Sequence, residues 1–137
     1  MVRRSAIPSE LRSRTMRAVK SKHTAPEIIV RRLVHSLGYR FRIHREDLPG
    51  KPDIVFPSRN KVIFVNGCFW HGHTCTRGAR EPKTNADYWR TKIARNRLRD
   101  ASSKKALRSL GWRSSVVWEC ELKSPFNLRQ KIRRFLA

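Results

Sequence analysis

Apolar positions recur along the chain with two periods. Behind the tetrapeptide TAPE, the residues Ile29, Val30, Leu33, Val34 and Leu37 fall at helical spacing. TAPE itself reads as a helix start, with Thr24 as N-cap, Pro26 in the first turn and Glu27 placed to bond back to the cap. Gly38 is the matching stop. YRFRI (39–43) alternates aromatic or aliphatic residues with arginine, the period of a half-buried strand, and LPGKP (48–52) is a turn. DIVF (53–56) and KVIFV (61–65) are short, apolar and partly β-branched, as central strands are. A polar-basic helix follows over 85–110, with Trp89, Ile93, Leu98, Ala101 and Leu107 as its apolar positions and Gly111 ending it. WRSSVVWE (112–119) is another strand, and from Pro125 a last basic helix carries Phe126, Leu128, Ile132 and Phe135. The order α-β-β-β-α-β-α predicts an α/β fold, a mixed sheet flanked by helices.

A length of 137 residues with 39% hydrophobic content supports one core, hence a single domain over 1–137. Its first part, 1–23, ends in RSRTMRAVKSKH and has only weak apolar periodicity; it reads as a basic arm or short helix that docks on another molecule, or as a disordered tail, ahead of a core over 24–137. Charge changes the picture more than length does. Lys and Arg total 32 against 10 Asp and Glu, a formal net charge of +22 spread over every segment. Ordinary small domains hold a net charge of roughly 2–8 in magnitude, so a polyanionic partner such as nucleic acid is expected. A membrane partner is not expected: there is no basic amphipathic helix with a Trp/Leu face and no apolar run near the roughly 18 residues a span needs. The start, MVRRSAIPSELRSR, lacks the apolar region of a secretion signal. The expected location is therefore cytoplasmic, with Cys68, Cys75 and Cys120 as reduced thiols.

Two stretches carry candidate chemistry. In GKPDIVF, Asp53 opens a buried strand after a turn, where a carboxylate projecting from the sheet can hold a hard cation such as Mg²⁺; a turn residue or a partner for Lys or Arg is the plainer use of an Asp there. In VIFVNGCFWHGHTC, Cys68, His73 and Cys75 present two thiols and an imidazole. If WRSSVVWE neighbours KVIFV, Cys120 reaches the same end of the sheet and completes a Cys₃His set of structural zinc type. Small core residues are the plainer use of such cysteines, but that leaves His73 unaccounted for. His71 is a surface histidine or, beside a metal-binding Asp53, a general acid or base. The adjacent Phe69 and Trp70 read as core packing first and as a wedge between DNA base steps second. On the long helix Trp89, Lys92, Asn96 and Asp100 share one face, either DNA-contacting or merely solvated.

TMRAVKSKHTAPE, GYRFRIHREDLPGKPDIVF, VIFVNGCFWHGHTC, EPKTNADYWRTKI and LGWRSSVVWECEL together resemble the very-short-patch repair mismatch endonucleases, over about Ser13 to Leu122. The resemblance implies a restriction-endonuclease-like core and a Mg²⁺-dependent nick 5′ to the T of a T:G mismatch, the lesion left when 5-methylcytosine is deaminated. It implies Asp53 as the metal-binding carboxylate, Val65 offering its backbone carbonyl to that metal, His71 as the catalytic histidine and Glu27 assisting. It implies zinc on Cys68, His73, Cys75 and Cys120, and Met16, Phe69, Trp70 and Trp89 as residues that wedge into the DNA. The partner would be mismatched double-stranded DNA met by a monomer in the bacterial cytoplasm or nucleoid, with proteins of mismatch repair as further partners. One position departs from the family: Asn66 stands where a second active-site histidine is common, and an amide cannot exchange a proton near neutral pH. The rival expectations are a zinc-stabilised binder of mismatched DNA without turnover, and a nickase of broader specificity on the same fold.

Overall fold

The computed structural model describes residues 24–69, 71–75 and 84–137. Among them the chain forms α1 (Ala25–Ser36), β1 (Arg42–Ile43), β2 (Ile54–Phe56), a 3₁₀ turn (Pro57–Arg59), β3 (Lys61–Asn66), α2 (Ala86–Ser109), β4 (Arg113–Trp118), a second 3₁₀ turn (Glu119–Lys123) and α3 (Pro125–Leu136). The sheet order is β1-β2-β3-β4, with β1–β2 and β2–β3 antiparallel and β3–β4 parallel. This is the expected mixed sheet with helices, in the expected order. The expected basic arm over 1–23, with Met16, and Trp70, expected as a wedge, lie outside the described residues.

The sheet is buried on both faces, and strand alternation decides what each face meets. Ile54, Phe56, Ile63 and Val117 point to one side and pack with Val30 and Val34 of α1 and with Leu128, Ile132 and Leu136 of α3. Val55 and Val62 point to the other side, where they meet Leu48 and Leu107 of α2, flanked by Phe64 and Trp112. Phe64 and Asn66 of β3 therefore face α2, as do Ser114, Val116 and Trp118 of β4. The parallel β3–β4 pair needs a crossover, and α2 supplies it.

Several expectations change. The strand over 39–43 loses its first three residues and shrinks to Arg42–Ile43: its partner β2 ends at Phe56, where the chain turns into the 3₁₀ segment Pro57–Arg59, and only Arg42 and Ile43 pair, with Val55 and Ile54; Tyr39 and Phe41 still pack on the core from outside the strand. Thr24 caps α1 through its hydroxyl oxygen, which accepts from the Glu27 N–H at 3.3 Å, but the Glu27 side chain is directed to Arg31 and His44 rather than back to the cap. Leu98 and Phe126, apolar positions of their helices, are 73% and 71% exposed. The inward stripe of α2 is instead Trp89, Ile93, Asn96, Asp100, Ser103 and Leu107, of which only Leu107 is fully buried. A helix this polar is held by its two ends and by the groups its middle meets.

Candidate active site and metal centre

Both chemical clusters form where β3 and β4 end. Asn66 pairs with Trp118 in the parallel register, so Cys68 and Cys120, each two residues further on, leave the sheet side by side. The Cys120 N–H donates to Cys68 Sγ at 3.3 Å. His73 returns through a tight turn whose N–H bonds the Cys68 carbonyl at 2.9 Å, and its ring stacks on Trp118 at 4.1 Å and 17°. Stacking aims His73 Nδ1 at Cys120 Sγ, 3.6 Å away. With Cys75, the four ligand atoms lie within 4.8 Å of one another. Sulfur at about 2.3 Å and nitrogen at about 2.05 Å from one tetrahedral zinc stand about 3.6 Å apart, so the donor set fits that ion. Burial pushes the Cys68 thiol up to about 12; a coordinated dication reverses that and holds the thiolate. The three cysteines form no disulfide.

Gly72 lets this loop lie against α2. Its φ is +61°, and a Cβ there would stand 2.8 Å from Ile93 Cγ2 and 3.0 Å from Arg97 Cδ. The close approach delivers His71 to the helix, where its Nδ1 meets Asp100 Oδ2 at 2.6 Å. A carboxylate only accepts, so Nδ1 carries the proton and the Nε2 lone pair is left for chemistry.

Asp53 sits just before β2 with Oδ2 accepting the Val65 N–H at 2.7 Å. In an extended strand a residue's N–H and C=O point to the same edge, so the Val65 carbonyl shares the Asp53 side, beyond the last β2–β3 pair at Ile54 and Ile63. Burial raises the Asp53 carboxyl above its ordinary value, opposed by the Val65 bond and by the charges of His44, Arg31 and His71. Such a carboxylate is one that a bound cation would stabilise. On the other side of Asp53 stand Glu27, 1% exposed, and His44; the ligand atoms of these three again lie within 4.8 Å of one another.

A cavity of about 350 Å³ lies between the sheet face and α2; Asp53, Val65, Asn66, His71, Asp100 and Trp118 line it. Asn66, 7% exposed, therefore takes its place on the cavity wall. Phe69 meets Trp89, near the start of α2, edge-on at 5.7 Å, and the Lys92 ammonium lies 5.7 Å from the Trp89 ring centre. Trp89 and Asn96 are half-buried on the inner stripe, whereas Lys92 is exposed. Sequence reasoning missed His44 and Arg31 altogether, and gave Asp100 no role beyond a polar stripe. For Asp100 a signal existed: past the first turn of α2 it is the lone acidic residue among Arg95, Arg97, Arg99, Lys104 and Lys105.

A family model, DNA mismatch endonuclease Vsr, matches residues 6–77. The chain belongs to the Vsr family. Its relatives include the Type II nicking enzyme V.XorIIP of Xanthomonas oryzae pv. oryzae, 55% identical over 127 residues that make up 93% of each chain. The Type II nicking enzyme V.NmeAIP of Neisseria meningitidis is 41% identical over 91% of this chain and 89% of its own. The DNA mismatch endonuclease Vsr of Escherichia coli is 41% identical over 82% of this chain and 71% of its own. As a member of the Vsr family the chain is a DNA endonuclease, a family of enzymes for which a divalent metal is expected. The Vsr match ends at residue 77, so it covers Cys68, His73 and Cys75 while Cys120 enters through the fold. No described helix is long and apolar enough to cross a membrane.

Proposed function

We propose that the chain is a mismatch-specific nickase that hydrolyses one phosphodiester bond 5′ to the T of a T:G pair, on a restriction-endonuclease-like core, and so starts repair of deaminated 5-methylcytosine. The observation that carries this reading is the convergence of Asp53, the Val65 carbonyl side and the Asp100-oriented His71 on one cavity wall. Mg²⁺ bound by Asp53 and the Val65 carbonyl would supply Lewis-acid charge at the scissile phosphate. His71 Nε2 accepts the proton of the attacking water, whose oxygen bonds to phosphorus as the bond to the leaving oxygen breaks. Asp100 holds His71 in the tautomer that makes this possible and stabilises the imidazolium that results. Asn66 hydrogen-bonds a phosphate oxygen or a water from the cavity wall, and Glu27 supports the carboxylate side of the site.

Zinc on Cys68, His73, Cys75 and Cys120 stiffens the loop that bears His71 and Phe69. Phe69 and Trp89, with Met16 and Trp70, form the wedge that enters beside the mismatch, where unstacking costs a few kcal/mol less than in paired DNA. Lys92, Asn96 and the exposed arginines of α2 hold the backbone. A monomer suffices, working in the bacterial cytoplasm, with mismatch-repair proteins as partners.

The test is a labelled duplex with one T:G pair beside its fully paired twin, with Mg²⁺ and with chelator, for the native chain and Asp53→Ala. The expected result is a single Mg²⁺-dependent nick 5′ to the mismatched T, absent in the variant. Equal cutting of the paired twin would make the chain a nickase of broader specificity, and binding without any nick would make it a recognition module disabled at Asn66.

A further inference from the structure

Beyond Asp53 and His71, the cavity wall turns cationic. The turn before β2 is pinned at its start, where Leu48 packs against Leu107 of α2 and its carbonyl accepts the Lys51 N–H at 3.1 Å. Gly50, at a φ of +79°, lies directly on α2: a Cβ there would stand 2.7 Å from Ser103 Cβ and 2.9 Å from Ser103 Oγ. Arg99 is one turn from Ser103 and shares its side of the helix. Lys51, Arg99 and Ser103 thus line the same cavity as Asp53 and His71. Lys51 takes this place with a left-handed backbone, φ 50°, a conformation that costs a lysine free energy and that gathers at functional sites. Arg31, Arg45, Arg90 and Lys131 are ion-paired, whereas among the described residues the side chains of Lys51 and Arg99 meet no carboxylate or carbonyl. Thr91 and Ser109 bond back to carbonyls four residues earlier on α2, at 3.0 and 3.1 Å; Ser103 makes no such bond among the described residues, and its hydroxyl is left to the cavity. Two side chains that only donate and one free hydroxyl suit a phosphate oxygen and repel a metal ion.

We propose that Lys51, Arg99 and Ser103 form a phosphate subsite that grips the cut strand one or two nucleotides from the scissile bond. The inference deepens the nuclease reading of the cavity and rests on it. Spacing sets the position. Ser103 lies three residues, about 4.5 Å of rise, along α2 from Asp100, which orients His71. Phosphates of one strand follow at about 3.4 Å of rise, so a phosphate held at Ser103 is the first or second neighbour of one held at His71. Charge sets the need. Asp53 and Asp100 put two carboxylates on the reaction side of the cavity, and a phosphate enters there more readily when its neighbour is already held by cations.

The experiment is a double-substitution cycle between side chain and phosphate, read as binding. T:G duplexes, each with one phosphate of the T-bearing strand replaced by an uncharged methylphosphonate, are titrated with the full chain by fluorescence anisotropy without added Mg²⁺. The proteins are the native chain, Lys51→Met, Arg99→Met and, as a control, Lys105→Met, an exposed residue of α2 that does not line the cavity. Neutralising the phosphate one or two nucleotides from the bond 5′ to the mismatched T should weaken binding to the native chain about 10-fold. Lys51→Met and Arg99→Met should each weaken the unmodified duplex by up to about that factor and lose little more on this one methylphosphonate, while their effects multiply with neutralisation elsewhere. Lys105→Met should multiply at every position. Two cavity variants keep the test open should one not fold. Effects of Lys51→Met and Arg99→Met that multiply at every position, or that couple only to the scissile phosphate or to one three or more nucleotides away, would overturn the subsite. Adding Mg²⁺ separates the two readings: coupling without a nick leaves the subsite and removes the nuclease, and a nick without coupling does the reverse.

Discussion

Asp100→Asn isolates what orientation of His71 contributes. The amide has nearly the shape of the carboxylate, so packing on α2 is preserved. Its oxygen can still accept from Nδ1, but it cannot stabilise an imidazolium, and its NH₂ face favours the tautomer with the lone pair on Nδ1. In a serine-protease triad, where the orienting Asp is buried, this change costs about 10⁴ in kcat. Here the Asp100 side chain is 41% exposed and that of His71 25% exposed, so water takes over part of the role. A loss of about 100-fold is expected, equivalent to about 2.7 kcal/mol of barrier. The assay is single-turnover nicking of the T:G duplex with protein in excess, which reads the chemical step apart from product release. DNA affinity should hold or rise, because the substitution removes a negative charge and so lessens repulsion of a polyanion. His71→Ala in the Asp100→Asn background should cost little beyond His71→Ala alone, since the two act as one unit. An unchanged single-turnover rate, or losses that multiply in the double variant, would refute the reasoning.

Gly72→Ala drives a Cβ to 2.8 Å from Ile93 Cγ2 at a φ of +61° and should destabilise the fold by about 2 kcal/mol, read as a lower urea midpoint; an unmoved midpoint would mean that the loop does not press on α2. Metal analysis should find one zinc per chain, and a strong chelator or Cys120→Ser should cost about 3 kcal/mol or more, about 10 °C or more in Tm; identical melting in chelator would remove zinc from the account. For Asp53 the folded carboxyl lies above its ordinary 3.8 because burial disfavours the charge, so between the two values the folded metal-free chain keeps a proton that the unfolded chain has lost. Metal-free stability should therefore fall as pH rises from about 4, leaving a deficit at neutral pH that Asp53→Asn removes. Thermal melts of both chains across pH, in chelator, check this, and parallel curves for the two would count against the burial.

What the sequence made legible follows from how local each signal is. The helices and central strands were readable because periodicity, TAPE and Gly38 act within a few residues of one another. The Cys₃His cluster was readable because three of its side chains share one short stretch, and Cys120 needed only the guess that β4 lies beside β3. β1 was overestimated at its start because alternation in YRFRI describes side chains, whereas the length of the pairing is set by where the partner strand β2 gives way to the turn at Pro57. His44 is 17 residues from Glu27, and Asp100 is 29 residues from His71. Pairings at such separations arise from strand register and helix packing, so no spacing rule announces them. Leu98 misled because propensity and hydrophobicity cannot tell which face of a polar helix the sheet will claim.

The polarity of α2 is what makes the site possible. Its inner stripe passes from Leu107, buried in the sheet core, through Ser103 and Asp100 at the cavity, to Trp89 against Phe69. One rigid element thus runs from core packing, past the His71–Asp100 pair, to the Phe69–Trp89 pair near its start. An apolar stripe would have closed helix and sheet together and left no cavity beside Asp53. Conversely, a wholly polar helix lacks an anchor, since burial of Leu107 and the approach of Gly72 to Ile93 and Arg97 are what fix the register of Asp100 opposite His71. The Cys₃His cluster holds the same loop from its other side. Placement of His71 therefore rests both on packing against α2 and on that cluster, and weakening either should loosen the Asp100 bond before it unfolds the sheet.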